Sequence, residues 1–229
     1  MALPAGYDRI VQQLTPGYAS LARLSVSLIA ASSAASARGA AVLVVGCGTG
    51  AELDVARASR PDWALTAVDP DPTMLAAARQ RIGADSVRWV EGKLGALARD
   101  DRFDGALAVL VMQGLPDDGA KLRFLSEIAR HLKPSGQLVL VDLMAPLHPS
   151  LQRQIDAAWG EYQRSAGLQA EADPTLLRSL TADMHRISPA RLAGLANAAG
   201  FSDPARIFNA LDYEGYLLQK RSVDAAPEA

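Results

Sequence analysis

The chain has 229 residues, of which 49% are hydrophobic and 21% charged, a composition that suits one globular domain with a sizeable core. Its 23 lysines and arginines against 25 acidic residues give a net charge of −2, so no overall basic field indicates a nucleic-acid partner. The single cysteine, Cys47, excludes an internal disulfide and a multi-cysteine zinc site, and we expect a cytoplasmic protein.

Residues 1–38 have helical character and are predicted to form a cover over the rest of the chain. The longest uncharged run, residues 24–37, is rich in serine and shorter than the roughly 20 residues that a membrane span needs. Because Asp8 and Arg9 precede this run, it also differs from a signal peptide. The sequence therefore predicts a helix here and no membrane partner.

From residue 41 onward, short apolar runs alternate with segments of helical spacing. The runs predicted as buried strands are residues 41–45, 64–68, 87–90, 105–112 and 137–143. The segments predicted as helices are residues 53–58, 73–82 and 117–132, the last beginning at an aspartate cap. This alternation predicts an α/β fold, a parallel sheet with helices on both faces and the functional site at the carboxyl ends of the strands. Residues 39–146 would form the cofactor-binding core.

The remainder of the chain is predicted to complete the same single domain, residues 1–229. Residues 147–200 suggest a helical lid of three helices, with starts at Pro149, at Asp173-Pro174 and at Ser188-Pro189. Gly200 would end the last helix. Residues 201–221 alternate between apolar and polar side chains, which predicts two closing strands around a turn at residues 212–215.

A glycine-rich stretch, "VVGCGTGAEL", follows the first predicted strand. Gly46 and Gly48 fit the dinucleotide pattern G-x-G-x-x-[G/A], and Gly50 adds a tighter G-x-G-x-G. A turn without Cβ atoms between a strand and a helix lets a ligand approach backbone amides closely. Taken alone, the pattern is weak, and a tight turn of purely structural role is the alternative.

Asp69 ends the second predicted strand, in "LTAVDPDPTML", 19 residues beyond Gly50. A carboxylate at this position can accept both hydroxyls of an adenosine ribose. The alternative, a cap for the next helix, suits Asp71 better. The two signals together predict an adenosine ligand. A dinucleotide fold needs two mononucleotide halves and a catalytic domain, for which the chain is short, so S-adenosylmethionine is favoured over a nicotinamide cofactor.

Six segments follow one another along the chain in an order and spacing known from one family: "VLVVGCGTGAEL", "LTAVDPDPTML", "VRWVEGKL", "FDGALAVLVMQGLPD", "LKPSGQLVLVDL" and "LAGLANAAGFSDPARIF". In these segments the sequence resembles the class I S-adenosylmethionine-dependent methyltransferases over essentially its full length. The resemblance implies a seven-stranded, mostly parallel Rossmann-like sheet with one antiparallel strand near an edge. It also implies S-adenosylmethionine as cofactor and a small-molecule acceptor.

The resemblance further implies which residues contact the cofactor. They are Gly46, Cys47, Gly48 and Gly50 at the methionine part, Asp69 at the ribose, Pro70 and Met74 at the adenine face, and Lys93 with Leu94 at the adenine edge.

Three other segments, "LTPGYASLARL", "WGEYQRSAGL" and "LLRSLTADM", are similar to the branch with the carboxy-S-adenosylmethionine synthases, which supply carboxymethyl groups for tRNA uridines. This narrower resemblance implies that Tyr18 and Arg178 contact the cofactor, the arginine from a partner in a homodimer. The alternative for Arg178 is a solvated helix position. A carboxy-S-adenosylmethionine synthase or a tRNA-modification enzyme is thus the alternative function, although the acidic balance disfavours nucleic acid.

Three positions depart from the family pattern. Val44 stands where the family has an acidic residue, Lys93 where a carboxylate accepts the adenine amino group, and Val109 where the branch has a polar residue. A lysine can only donate hydrogen bonds. Because of these departures, a second hypothesis stays open, in which the protein binds the cofactor but has no transferase activity.

Methyl transfer from a sulfonium is a direct displacement, so the protein mainly aligns the acceptor and excludes water. A general base is needed only where the acceptor must lose a proton of high pKa. His148 and His185 are the candidates, with a structural or surface role as the alternative for both. Trp159 is expected to pack, or to wall an acceptor pocket. No cluster has the spacing of metal ligands.

Overall fold

The computed structural model describes residues 6–168 and 184–222 of the chain. The described helices are α1 (Tyr7–Leu14), α2 (Tyr18–Ala31), α3 (Ala51–Ser59), α4 (Pro72–Ile82), α5 (Ala120–His131), α6 (Gln152–Ser165) and α7 (Pro189–Ala198). The described strands are β1 (Ala41–Val45), β2 (Ala64–Asp69), β3 (Arg88–Glu91), β4 (Phe103–Val109), β5 (Leu132–Leu143), β6 (Ala205–Ala210) and β7 (Tyr213–Gln219).

All seven described strands form one sheet in the order β3-β2-β1-β4-β5-β7-β6. The first five strands pair in parallel, whereas β7 runs antiparallel to both β5 and β6. The predicted seven-stranded, mostly parallel α/β fold is confirmed. The strand order reverses between β1 and β4, and in open α/β sheets ligands bind in the crevice at such a switch point.

Helices cover both faces of the sheet because successive side chains of a buried strand point to opposite sides. In β1, Leu43 and Val45 belong to the apolar cluster that contains α5 and α7, and Val42 and Val44 belong to the cluster that contains α2 and α3. Near-continuous apolar runs such as "AVLVV" are therefore typical of strands buried on both faces.

Two helices expected in the cover belong to the core instead. Helix α2 buries Val26 and Ile29 against the sheet, and α7 buries Leu192 and Leu195 beside α5. Both helices carry an apolar stripe wide enough to pack on a sheet face, which favours burial over a mobile cover. Among the described residues, the cover consists of α1 and α6.

Several element ends differ from the sequence prediction. Strand β4 ends at Val109 because Leu110 adopts a left-handed conformation with φ of 59°, and the chain then turns through residues 112–114. Helix α5 begins after Gly119 rather than at residue 117. The closing turn lies at residues 211–212, and Gly215 pairs with Val141 inside β7. Ser188 caps α7 through its side chain, as predicted.

Within the described part of the chain, none of the helices combines the length and the apolar character needed to cross a membrane.

Candidate functional site

The glycine loop leaves the carboxyl end of β1 directly at the switch point. Gly46, Gly48 and Gly50 all have positive φ angles, of 61°, 50° and 89°, in the left-handed region that favours glycine. The backbone N–H groups of Gly46 and Cys47 both donate to the carbonyl of Val68 in β2, at 2.7 and 3.2 Å. The loop is therefore held as a fixed turn against the neighbouring strand.

Asp69 holds this loop from the end of β2. Its side chain is only 6% exposed, and its two carboxylate oxygens accept hydrogen bonds from the N–H groups of Gly48 at 2.8 Å and Asp71 at 2.9 Å. Each carboxylate oxygen has a second lone pair, so Asp69 can still accept hydrogen bonds from a ligand. One carboxylate thus joins the glycine loop to the start of α4 and borders the crevice.

A first cavity of about 330 Å³ opens above the glycine loop. Its lining combines the loop, the ends of β2 and β4 and the two N-terminal helices: Tyr7, Val11, Tyr18, Gly46, Cys47, Gly48, Thr49, Ala51, Glu52, Asp69, Pro70, Asp71, Met74, Val109, Leu110 and Val111. This volume lies at the lower end of the range for small-molecule and cofactor sites.

A second cavity of about 320 Å³ lies toward β3 and α5. It is lined by Val45, Gly46, Val68, Pro70, Gly92, Lys93, Leu94, Val111, Leu115, Ala120, Arg123, Phe124 and Glu127. Both cavities share Gly46, Pro70 and Val111 as walls, so they adjoin across the switch point. An elongated ligand can extend along the strand ends from one cavity to the other.

The narrow point between the cavities depends on a glycine. A Cβ at Gly46 would lie 2.6 Å from the Cγ2 atom of Val111, which follows β4. A Cβ at Gly48 would meet nothing within 4 Å. Gly50 instead faces α4, where a Cβ would lie 3.3 Å from the Cβ of Ala78. Gly46 therefore permits the close approach of β1 and β4, and Gly48 leaves the loop surface bare toward the first cavity.

Two tyrosines bring the N-terminal helices to the first cavity. Burial raises the pKa of Tyr7 and of Tyr18, so both hydroxyls stay protonated at neutral pH. The Thr49 hydroxyl donates to Asp8 of α1, and Asp8 also pairs with Arg81 of α4 at 3.2 Å. Helix α1 is thereby attached to the glycine loop.

Glu52 is a site residue that sequence reasoning missed. It lies in the first turn of α3, is 7% exposed and lines the first cavity. Burial raises its pKa to about 7. Its position directly after the glycine loop could have marked it, but its burial depends on α2, which is distant in sequence.

Cys47 also lies in the loop. Its thiol is buried, and burial raises its pKa to about 12, which leaves no thiolate at neutral pH. The thiol is therefore a small packing group.

The structure brings most of the predicted site residues together. Those that line one or both cavities are Tyr18, Gly46, Cys47, Gly48, Asp69, Pro70, Met74, Lys93, Leu94 and Val109. Gly50 only caps α3, Val44 points into the core with 2% exposure, and Arg178 lies outside the described residues.

The two histidines proposed as bases are not part of this arrangement. His148 and His185 are both exposed, and neither lines either cavity. His148 lies in the loop after β5, and the His185 backbone N–H donates to the carbonyl of Gln113. In residues 6–168 and 184–222, no group of histidine, cysteine or acidic side chains could hold a metal ion.

The order of the strands, the glycine loop and the carboxylate at the end of β2 together define the class of the protein. It is a Rossmann-like α/β protein with a crevice of the kind that binds nucleotides. Residues 42–136 match the model of a methyltransferase domain family. A trans-aconitate 2-methyltransferase from Methylobacterium nodulans is 31% identical over 117 residues, which are 50% of this chain and 43% of the relative. The chain thus spans less than half the length of this curated relative.

Solved structures share the fold at low identity. The 1,6-didemethyltoxoflavin-N1-methyltransferase of Burkholderia thailandensis, solved with bound 1,6-didemethyltoxoflavin and S-adenosylhomocysteine, superposes with a TM-score of 0.60 at 21% identity, covering 97% of this chain and 92% of that one. Human N-acetylserotonin methyltransferase in complex with S-adenosylmethionine gives a TM-score of 0.59 at 17% identity, covering 94% and 56%. These similarities establish the fold.

Proposed function

We propose that the protein is an S-adenosylmethionine-dependent methyltransferase that acts on a small-molecule acceptor. The observation that carries this proposal is the glycine loop tied to Asp69 at the switch point, beside two adjoining cavities. The loop, Asp69 and Lys93 all fall within the segment that matches a methyltransferase domain family. A crevice of this kind accepts an elongated adenosine ligand across the strand ends.

The cofactor is proposed to lie with its ribose at Asp69. The methionine part then faces Gly46, Gly48 and Tyr18 in the first cavity, and the adenine enters the second cavity beside Leu94. Lys93 cannot accept a hydrogen bond from the adenine amino group. Glu127 of α5 lines the same cavity and can supply the missing acceptor.

The protein's part in the reaction is alignment. An acceptor lone pair must lie behind the methyl group, in line with the sulfur that leaves, and water must be excluded. Tyr7, Val11 and Tyr18 from the N-terminal helices close the first cavity and provide an apolar, aromatic wall for an acceptor. With no histidine lining it among the described residues, an acceptor that needs no strong base fits this cavity best.

Isothermal titration calorimetry with S-adenosylhomocysteine tests the cofactor assignment. We expect the wild type to bind, and the variant Asp69→Asn to bind at least tenfold more weakly because it loses charge-assisted hydrogen bonds to the ribose. Asp62→Asn is the control, since Asp62 pairs with Arg60 at 2.8 Å and lines neither cavity. Absence of binding at millimolar concentration in folded wild-type protein would exclude the proposal.

A second candidate is a cofactor-binding protein without transferase activity. Val44, buried in the core, offers no charge to the cofactor, and Lys93 replaces an acceptor with a donor. This candidate expects cofactor binding without turnover. One methylated product formed in stoichiometric excess over the enzyme, detected by mass spectrometry, would eliminate it.

The carboxy-S-adenosylmethionine synthase branch, a homodimer and a cytoplasmic location are finer proposals. The branch is supported by Tyr18 in the wall of the first cavity, whereas Arg178 lies outside the described residues. Mass spectrometry of the ligand that copurifies with the protein distinguishes the carboxylated cofactor from S-adenosylmethionine. Loss of the carboxylated form from Arg178→Lys would support the branch, because an ammonium cannot reproduce a bidentate guanidinium.

A further inference from the structure

Three carboxylates line the first cavity, and two of them are engaged with the backbone. Asp69 accepts hydrogen bonds from the N–H groups of Gly48 and Asp71, and Asp71 accepts one from Thr73. Glu52 differs from both. Among the described residues, no other residue forms a hydrogen bond or an ion pair with its carboxyl group.

Glu52 is buried at a considerable energetic cost. An ionised carboxylate removed from water without a counter-charge loses several kcal/mol of hydration, as order of magnitude. The ionisable groups close enough to interact electrostatically with it are Tyr18 of α2, Cys47 of the loop, Asp8 of α1 and Arg81 of α4. Arg81 is already paired with Asp8 and Asp54 at 3.2 and 3.1 Å, and it is 37% exposed. The cavity thus contains a buried carboxyl group whose negative charge, when it ionises, has no dedicated counter-charge among the described residues.

We propose that Glu52 binds the ammonium group of the methionine part of S-adenosylmethionine. This inference rests on the proposed function. With the ribose at Asp69 and the adenine in the second cavity, the amino-acid end of the cofactor lies beside the glycine loop and Tyr18, where Glu52 lies. That end carries one cation and one anion, and a buried carboxylate is stabilised by a cation in contact with it.

The start of α3 can accommodate the other charge of the same group. Helix α3 begins at Ala51 after Gly50 and has no side-chain cap, so the N–H groups of its first turn favour an anion. The cofactor carboxylate can occupy this helix start while Glu52 holds the ammonium. Since Val44 is buried in the core, Glu52 supplies the negative charge that position 44 does not.

The test compares two ligands that differ in the amino-acid end. S-adenosylhomocysteine carries the ammonium and the carboxylate, and 5′-methylthioadenosine lacks both. By calorimetry at pH 7.5 we expect Glu52→Gln to bind S-adenosylhomocysteine at least tenfold more weakly, because the amide keeps the shape but not the charge. Binding of 5′-methylthioadenosine should stay within about twofold, which also verifies that the variant site is folded.

A second readout is the proton balance of binding. At pH 6.5 Glu52 is largely protonated in the free protein, since burial raises its pKa to about 7. Contact with an ammonium favours the carboxylate, so the wild type should release more than about half a proton on binding S-adenosylhomocysteine. Calorimetry in two buffers of different ionisation enthalpy measures this release, which Glu52→Gln should abolish.

The outcomes separate the inference from the proposed function. If the wild type binds neither ligand, the cofactor assignment fails and the inference fails with it. If the wild type binds both, then equal weakening of both ligands by Glu52→Gln, or of neither, overturns the inference alone. Weakening of S-adenosylmethionine without weakening of S-adenosylhomocysteine also overturns it, because Glu52 would then face the sulfonium.

Discussion

At the scale of single residues, the glycines of the loop have different tasks despite their regular spacing. Gly46 allows Val111 to approach the backbone, with only 2.6 Å to an added Cβ, whereas a Cβ on Gly48 would meet open space toward the first cavity. Both have positive φ angles, so any side chain adds strain of about 1 kcal/mol. The difference between them is therefore steric.

This steric difference predicts that an alanine at Gly48 mainly weakens ligand binding, whereas an alanine at Gly46 mainly lowers stability. Gly48→Ala should lower the melting temperature by only a few degrees, because its methyl group meets no protein atom, yet it should weaken S-adenosylhomocysteine binding at least tenfold by filling the ligand's approach to the loop. Gly46→Ala should cost about 1–3 kcal/mol more stability through overpacking against Val111. Thermal unfolding and calorimetry on both variants measure the two effects. Equal stability of the variants would contradict the steric explanation.

At the scale of elements, the cover is held by hydrogen bonds between α1 and α6. The Trp159 indole N–H donates to the carbonyl of Leu14 at 2.7 Å, and the Gln13 amide donates to the carbonyl of Ala166 at 2.9 Å. The Trp159 ring also meets Tyr213 of β7 edge-on, with centroids 5.8 Å apart. Since α6 has no buried residue, its attachment relies on hydrogen bonds of this kind and on the ring of Trp159.

Removal of that indole N–H should loosen the cover without disturbing the sheet. Trp159→Phe loses one hydrogen bond of about 1 kcal/mol, so amides of α1 and α6 should exchange with solvent about fivefold faster. Trp89→Phe is the control, because its indole donates to the carbonyl of Ala84, away from the cover. Hydrogen exchange read by mass spectrometry compares the variants. Faster exchange in α1 and α6 of the control as well would refute the attachment role.

At the scale of the whole molecule, the hairpin of β6 and β7 and Phe201, which precedes it, contribute to the hydrophobic core. Phe201 is fully buried between α5, α7 and β7, and its backbone N–H donates to the carbonyl of Ala196 at 2.9 Å. Strand β7 in turn covers the full length of the buried β5 segment 137–143. The core therefore includes a residue that follows five of the seven described strands in the sequence.

Truncation of this side chain should destabilise the whole chain. Phe201→Ala is expected to cost about 3–5 kcal/mol, the transfer and cavity terms of a buried phenylalanine, and to lower the melting temperature by roughly 10 °C. Leu147→Ala is the control, since Leu147 is 49% exposed and should change stability by less than about 0.5 kcal/mol. Differential scanning calorimetry measures both. A loss below about 1 kcal/mol for Phe201→Ala would contradict its role in the core.

The sequence by itself determined the strand and helix alternation, the position of the glycine loop and the carboxylate at Asp69, because these depend on local periodicity and on fixed spacing along the chain. The predicted sheet is confirmed, and β1 has the predicted bounds. The narrower roles of Asp69 and its neighbours at the cofactor stay predictions.

Only the tertiary structure decided which helices are core and which are cover. Helix α7 joins the core because β7 and α5 present apolar surface to it, and no local pattern records that surface. The burial of Glu52 likewise depends on α2, whose Tyr18 lies 34 positions earlier in the chain. Local patterns fix which elements form, whereas contacts between residues distant in sequence fix which charges are buried, and so the chemistry of the cavity.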